Sequence, residues 1–310
     1  MRARPKNAKR RPCAVLTAAM LGCLAWLCGA PGAAAVQAID DVGITVVLQA
    51  PARRIVSLAP HTTELLFAAG AGERIVGTTD FSDYPHAALR IPRIGSSTLL
   101  DLERVVTLKP DLIVVWLSGG SAAQLARIRA LGVPVFHSEP RTLADIPSAL
   151  ERLGVLAGTP AEAEKAAAAF SARAAALRAG YANRSPVPLF WQVWARPLLT
   201  VNGRHIISDV VGLCGGRNLF AALSPLVPPV SVEAVIEADP EAIVTTSNDA
   251  TPRGDEGLEI WRALPKLRAT ARGNLVALRA ETIHRQSPRI LDGAAALCER
   301  LEEVRARRPR

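Results

Sequence analysis

Leu102-Glu103-Arg104-Val105-Val106, continued at Pro110-Asp111-Leu112-Ile113-Val114, returns about 130 positions later as Val232-Glu233-Ala234-Val235-Ile236 and Pro240-Glu241-Ala242-Ile243-Val244, with the same gap between its parts. Each copy reads as a short helix opened by a polar cap (Asp101 or Ser231), stopped before a proline, and followed by a β-branched run with the character of a buried strand. Many repeats of a short period would spell a solenoid. One repeat of half a chain spells two related α/β lobes, and the cleft between two lobes is where a ligand sits.

Outward from the repeat the pattern is regular. Strands are expected over 54–58, 75–77, 111–116 and 133–136, with helices over 62–69, ended by Gly70, and 122–131, ended by Gly132. The second half follows with 187–193, 206–213, the repeated helix and strand, and a last helix over 288–304. Strands alternating with helices through short connections predict largely parallel sheets, so the fold class is α/β, two Rossmann-like lobes joined by one long helix. That helix is expected from Thr159 to Tyr181, with Thr159 as cap, Pro160 at its first position, Glu162 three after the cap and an alanine-rich body. About 22 residues at 1.5 Å each make a strut of roughly 33 Å, which permits only modest closure of the lobes. The expected organisation is a leader over 1–38, a first lobe over 39–158, the linking helix over 159–182 and a second lobe over 183–310 ending in a basic tail.

The leader reading comes from Arg2, Arg4, Lys6, Lys9, Arg10 and Arg11 ahead of an apolar run from Ala14 to Leu27, then small residues that offer cleavage near Ala35 or Ala38. The apolar run is short and wrongly flanked for a membrane span, and Met20-Leu21-Gly22-Cys23 only faintly resembles a lipoprotein box. The chain carries 37 basic and 28 acidic residues, a formal charge of +9, but six of the positives are in the leader and four (Arg305, Arg307, Arg308, Arg310) are in the tail, which reads as a solvated end. The body is near neutral, with no basic stripe interleaved with aromatics, so nucleic acid is not an expected partner. Cys13, Cys23 and Cys28 belong to the leader. Cys214 and Cys298 remain, and in an exported chain they favour one disulfide over two separate buried thiols.

Together with Arg54-Ile-Val-Ser-Leu-Ala-Pro60, Phe81-Ser82-Asp83-Tyr84-Pro85 and Cys214-Gly215-Gly216-Arg217-Asn218, this order of lobe, helical strut and lobe resembles the bacterial periplasmic binding proteins of the iron-chelate and cobalamin type. Within that family it resembles the cobalamin-binding receptors of vitamin importers over roughly 50–305. The resemblance implies a monomeric, non-enzymatic receptor of the periplasm that passes a small molecule to an ABC permease of the inner membrane. It implies that Glu103 and Glu233 dock on arginines of that permease, that Cys214 and Cys298 pair, and that Phe81, Trp116 and Arg285 face the ligand. Two further tryptophans of those receptors fall on Ser97 and Val227 here, a loss that Trp191 and Trp194 offset only in part. Alternation puts these two on opposite faces, and Trp194 lies nearer the carboxyl end of its strand, where α/β sheets bind ligands.

A corrinoid is flat, large and mostly apolar, and suits aromatic walls with few fixed charges. An anionic ferric siderophore would favour converging arginines or tyrosines, and the chain has only Tyr84 and Tyr181. Haem is the closer competitor. It needs an axial donor, for which His61, His205 and His284 are candidates, although their wide spacing carries no local metal signature. The transported ligand is therefore expected to be a corrinoid, with no catalytic cofactor. A secreted α/β enzyme is the outside reading, but there is no Gly-x-Ser-x-Gly elbow, no phosphate loop and no His-Glu-x-x-His. The adjacent pairs Asp40-Asp41 and Glu302-Glu303 read as solvated surface.

Overall fold

The computed structural model describes residues 34–96, 99–181, 183–247 and 257–309, so the expected leader up to Ala33, and Ser97, lie outside the described residues. The first lobe opens with a hairpin that the sequence reading does not anticipate, β1 (Val36–Ile39) against β2 (Thr45–Leu48). Its turn is built on Asp40, whose Oδ1 accepts the Val42 and Ile44 amides and whose Oδ2 meets His137 Nδ1 at 2.6 Å. Asp41 accepts from Arg152 and from the Glu139 amide. This corrects the reading of Asp40-Asp41 as solvated surface. A short carboxylate satisfies the amides of a tight turn, and this one is buried because the hairpin packs on the sheet.

There follow β3 (Ile55–Ser57), α1 (Pro60–Ala68), β4 (Ile75–Thr78), α2 (Leu102–Thr107), β5 (Leu112–Trp116), α3 (Ala122–Arg129), β6 (Val135–Ser138), α4 (Asp145–Ala157) and the long helix α5 (Pro160–Tyr181). The second lobe contains β7 (Val187–Trp191), the small hairpin β8 (Trp194–Ala195) and β9 (Leu198–Leu199), α6 (Ile206–Leu213), β10 (Gly216–Asn218), α7 (Val232–Ala238), β11 (Ala242–Ser247), α8 (Glu259–Arg262), α9 (Arg268–Ala271), β12 (Leu275–Arg279), α10 (Ala280–Ile283) and α11 (Ile290–Ala306). Both four-stranded sheets are parallel and share one order. The first is β4-β3-β5-β6 and the second β10-β7-β11-β12, so in each the sheet's own first strand lies between its second and third.

The repeated phrase is equivalent in detail. Asp101 accepts the Arg104 amide at 2.9 Å and Ser231 accepts the Ala234 amide at 3.2 Å. Both helices leave through a left-handed residue, Lys109 (φ 45°) and Asp239 (φ 39°), because the residue before a proline is pushed out of the α region. An arginine from elsewhere covers the freed carbonyls in each case, Arg54 on Leu108 and Arg268 on Asp239.

Strand residues alternate between one shared core and an outer core of their own lobe. Ile55, Leu112, Val114, Leu189, Trp191, Ala242 and Val244 face a single apolar core that runs through both lobes, while Val56, Ile113 and Val115 face a second one under α2 and α3, and Phe190 and Ile243 a third with Trp261. Helix α5 enters the common core along one stripe, Ala163, Ala167, Phe170 and Ala174. Thr159, expected as its cap, donates its hydroxyl to the Ala69 carbonyl at 2.6 Å, which ties α1 to the same spine. Helix α4, absent from the sequence reading, lies against α5 through Gly154, where a Cβ would stand 2.2 Å from Ala163 Cβ.

Cys214 and Cys298 form the expected disulfide, joining the end of α6 to α11. The basic tail differs from expectation. Arg305 donates to the carbonyls of Ser185, Cys214 and Gly215, Arg307 reaches Asn274, and Arg308 grips buried Glu241 through Nε and Nη2 at 2.7 and 2.8 Å. It is a clasp rather than a solvated end, because backbone carbonyls and a buried carboxylate at the amino ends of β7, β10 and β11 require donors. Arg310 lies outside the described residues.

Gly154→Ala is expected to lower the stability of the whole chain by about 1–3 kcal/mol through overpacking between α4 and α5. Urea unfolding measures it, and adding Ala163→Gly should recover part of the loss.

Candidate functional site

Parallel sheets bind ligands beyond the carboxyl ends of their strands. The four residues expected to face a ligand all lie there: Phe81 after β4, Trp116 at the end of β5, Trp194 just past β7, and Arg285 past β12 and α10. Phe81 has φ 62° and is 77% exposed. The left-handed region is costly for a bulky side chain and persists where the surroundings impose it. Here the Phe81 carbonyl accepts from Arg285 Nη2 at 3.0 Å, and the next carbonyl, of Ser82, accepts from Arg93 Nη2 at 2.9 Å.

Trp116 is half-buried. His61, at the start of α1, meets it edge to face with ring centroids 5.5 Å apart. Gly119 lies under the indole, where a Cβ would approach to 2.2 Å. Neither the Trp116 indole N–H nor His61 Nε2 has a hydrogen-bond partner among the described residues, and both atoms are buried.

Arg285 is held more firmly than the sequence reading implies. Its Nη1 donates to Glu64 at 2.8 Å and to Asp83 at 2.7 Å. Glu64, on α1 of the first lobe, is buried and also receives Ser287 Oγ at 2.5 Å and Arg289 Nη1 at 3.3 Å. Arg289 in turn lies 4.0 Å over the ring of Tyr84. Burial opposes the charge on Arg285, but its hydrogen bonds to Asp83 and Glu64, and their charges, leave its pKa above the usual arginine value. Glu64, Asp83, Ser287 and Arg289 are the site residues that sequence reasoning does not reach. The available signal is a glutamate set directly before the apolar run Leu65-Leu66-Phe67-Ala68 of α1, and two arginines flanking Ser287-Pro288.

In the second lobe β7 stops at Trp191, short of the expected 193, and Trp194 starts a different strand. Trp191 is buried in the common core, whereas Trp194 is 61% exposed and its indole N–H donates to the Arg196 carbonyl at 2.9 Å. Trp261, which the sequence reading does not place, is buried and donates to Gln192 at 2.6 Å. The three candidate histidines do not all converge: His205 and His284 are near enough for the charge of one to act on the other, and His61 stands apart from them. His61 lies against Trp116 in the first lobe, His205 caps α6 by accepting the Ile207 amide on Nδ1, and His284 pairs with Thr246 at 3.0 Å. Among the described residues no three metal-binding side chains group together.

Glu103 and Glu233 occupy equivalent positions in the first turns of α2 and α7, and both are exposed. Glu233 is held below the ordinary carboxylate range by its own backbone amide and by the Ser231 hydroxyl. Each helix also presents an apolar side chain three residues on, Val106 (56% exposed) and Ile236 (44%). Because α2 and α7 lead straight into β5 and β11, their first turns point toward the carboxyl side of the sheets, where the candidate ligand residues lie.

Burial, and secondarily the charge of Arg285, push the pKa of His61 from its usual 6.5 down to about 3. The unfolded chain therefore takes up this proton first, and His61 costs stability as pH falls from 6.5 toward 3. His205, lowered to about 4 by burial and then by His284, acts in the same direction. From pH 7 to pH 5 the loss due to His61 is expected to be about 2 kcal/mol, and denaturant unfolding of His61→Gln should show a flatter pH dependence over that interval. An unchanged slope contradicts the assignment.

The sequence matches the periplasmic binding protein family over residues 55–282. It is 37% identical over 253 residues to the vitamin B12-binding protein of Vibrio cholerae, covering 81% of this chain and 90% of that one. With the vitamin B12-binding protein of Yersinia pestis the identity is 37% over 274 residues, covering 88% and 94%. The fold superposes on the crystal structure of the Vibrio cholerae periplasmic vitamin B12 binding protein with a TM-score of 0.75 at 37% identity, covering 82% of this chain and 98% of that one. It superposes on a periplasmic heme-binding protein from Roseiflexus with a TM-score of 0.70 at 26% identity, covering 81% and 98%. With its two parallel sheets on one helical spine, the chain belongs to the periplasmic binding protein family.

Proposed function

We propose that this chain captures cobalamin or a related corrinoid in the periplasm and delivers it to an ABC importer, without catalysing a reaction on it. The observation that carries the reading is the likeness to vitamin B12-binding proteins over more than four-fifths of the chain. The site is consistent with it. Phe81 and Trp194 offer exposed aromatic surface at the carboxyl ends of the two sheets and Trp116 stands half-buried between β5 and α1, which suits a flat, apolar macrocycle. Arg285 has three of its N–H groups committed within the protein and two left for amide oxygens of a ligand. Haem is the second reading, favoured by the 0.70 superposition on a heme-binding protein. It is the weaker one, because His61 is buried and His205 uses Nδ1 as a cap.

The chain works as a monomer in this reading, with Glu103 and Glu233 as paired acidic contacts for arginines of the permease and Val106 and Ile236 as apolar contacts beside them. Residues 1–35 act as the export leader. Of the two cleavage positions, Ala35 is the one that leaves β1 whole, since cutting after Ala38 removes most of its four residues.

Calorimetric titration of mature protein with cyanocobalamin, haemin and a ferric siderophore should show binding of the corrinoid, and silence at tens of micromolar refutes the reading. Trp116→Ala and Phe81→Ala should each weaken that binding by about 2 kcal/mol or more. Reversing Glu103 and Glu233 together to lysine should abolish uptake in cells with affinity unchanged, and a loss of affinity contradicts the docking role.

A further inference from the structure

Three side chains of the second lobe meet around one buried carboxylate of the first. Glu64 belongs to α1 of the first lobe and its side chain is 2% exposed, while Arg285, Ser287 and Arg289, which all donate to it, belong to the loop before α11 of the second. A buried carboxylate is tolerated only when its lone pairs are met, and among the described residues the second lobe supplies every side-chain donor to it. The same guanidinium reaches past Glu64 to two further groups, the Asp83 carboxylate and the carbonyl of Phe81. Phe81 is the exposed aromatic whose backbone occupies the left-handed region, a conformation its own sequence does not favour. Arg285 thus fixes the two ends of the Phe81-Ser82-Asp83 segment from across the lobe boundary, and Glu64 fixes Arg285.

We propose that Glu64 is a positioning residue for the ligand site. It touches no ligand, and through Arg285 it holds the Phe81 loop of the first lobe in the conformation that presents the aromatic ring. The inference rests on the corrinoid reading for its consequence, since a loop held open in advance costs less order on binding and retains its ligand longer. For its geometry it rests only on the contacts just described. It also assigns Arg285 a second task besides any contact with ligand, which is to carry the position of one lobe to the loop of the other.

The test compares Glu64→Gln with Glu241→Gln in the full mature protein. Glu241 is equally a buried carboxylate held by arginines, but it sits under the C-terminal clasp at the amino end of the second sheet, away from the Phe81 loop. Without ligand, amide hydrogen exchange over 79–84 should rise about tenfold in Glu64→Gln and stay at the wild-type rate in Glu241→Gln. With cyanocobalamin, Glu64→Gln should release ligand about fivefold to tenfold faster, mainly through the dissociation rate, and this increment should disappear in a Phe81→Ala background. Equal exchange in the two variants overturns the proposal, and so does a dissociation increment that survives loss of the Phe81 ring. If wild-type protein binds no corrinoid, the functional reading fails while the exchange comparison still decides whether Glu64 positions the loop.

Discussion

The structure depends on one shared apolar core. Helix α5 lays Ala163, Ala167, Phe170 and Ala174 into it, α4 closes on α5 at Gly154, and strands of both sheets turn Leu112, Val114, Leu189, Trp191 and Val244 toward it. Such a core is close-packed and of low compressibility, so a large rotation of one lobe on the other would have to break its packing. The lobes are therefore not two bodies on a flexible string. Each holds its carboxyl strand ends at a set place, and the candidate ligand residues inherit that placement: Phe81 and Trp116 from the first sheet, Trp194 and Arg285 from the second.

Charge is arranged around this core in two ways. Inside, each of the four buried carboxylates among the described residues has its own donors: Asp40 takes turn amides and His137, Glu64 the second lobe's arginines and serine, Glu139 the amide and hydroxyl of Ser118, and Glu241 Arg308 and Arg272. Outside, Glu103 and Glu233 remain exposed at matching helix starts, supported by the first-turn geometry. Removing one partner of an inner pair leaves an uncompensated buried charge and is costly, whereas the outer pair is open to a partner.

Much of this was legible in the sequence, and what was not has physical causes. The repeat, the parallel alternation, the long helix and the cysteine pair rest on local periodicity, caps and compartment chemistry, which one chain carries openly. The polar contacts that bind distant segments do not have a local signature. Nothing near Glu64 points to Arg285, about 220 residues away, and nothing in a run of C-terminal arginines reveals the carbonyls that they cover. Asp40 reads as one of two adjacent surface acids until its turn is seen to fold onto β6. Trp191 and Trp194 illustrate the same limit: alternation along one strand separates them, but a strand break and a new hairpin put one in the core and the other in solvent.

The most direct test is a distance measurement by electron spin resonance between labels at positions 103 and 233, taken on the mature protein with and without cyanocobalamin. A continuous core along α5 predicts one narrow distribution that moves by no more than a few Å on binding. A broad ligand-free distribution, or one that jumps to a clearly separate, shorter distance with ligand, would contradict it.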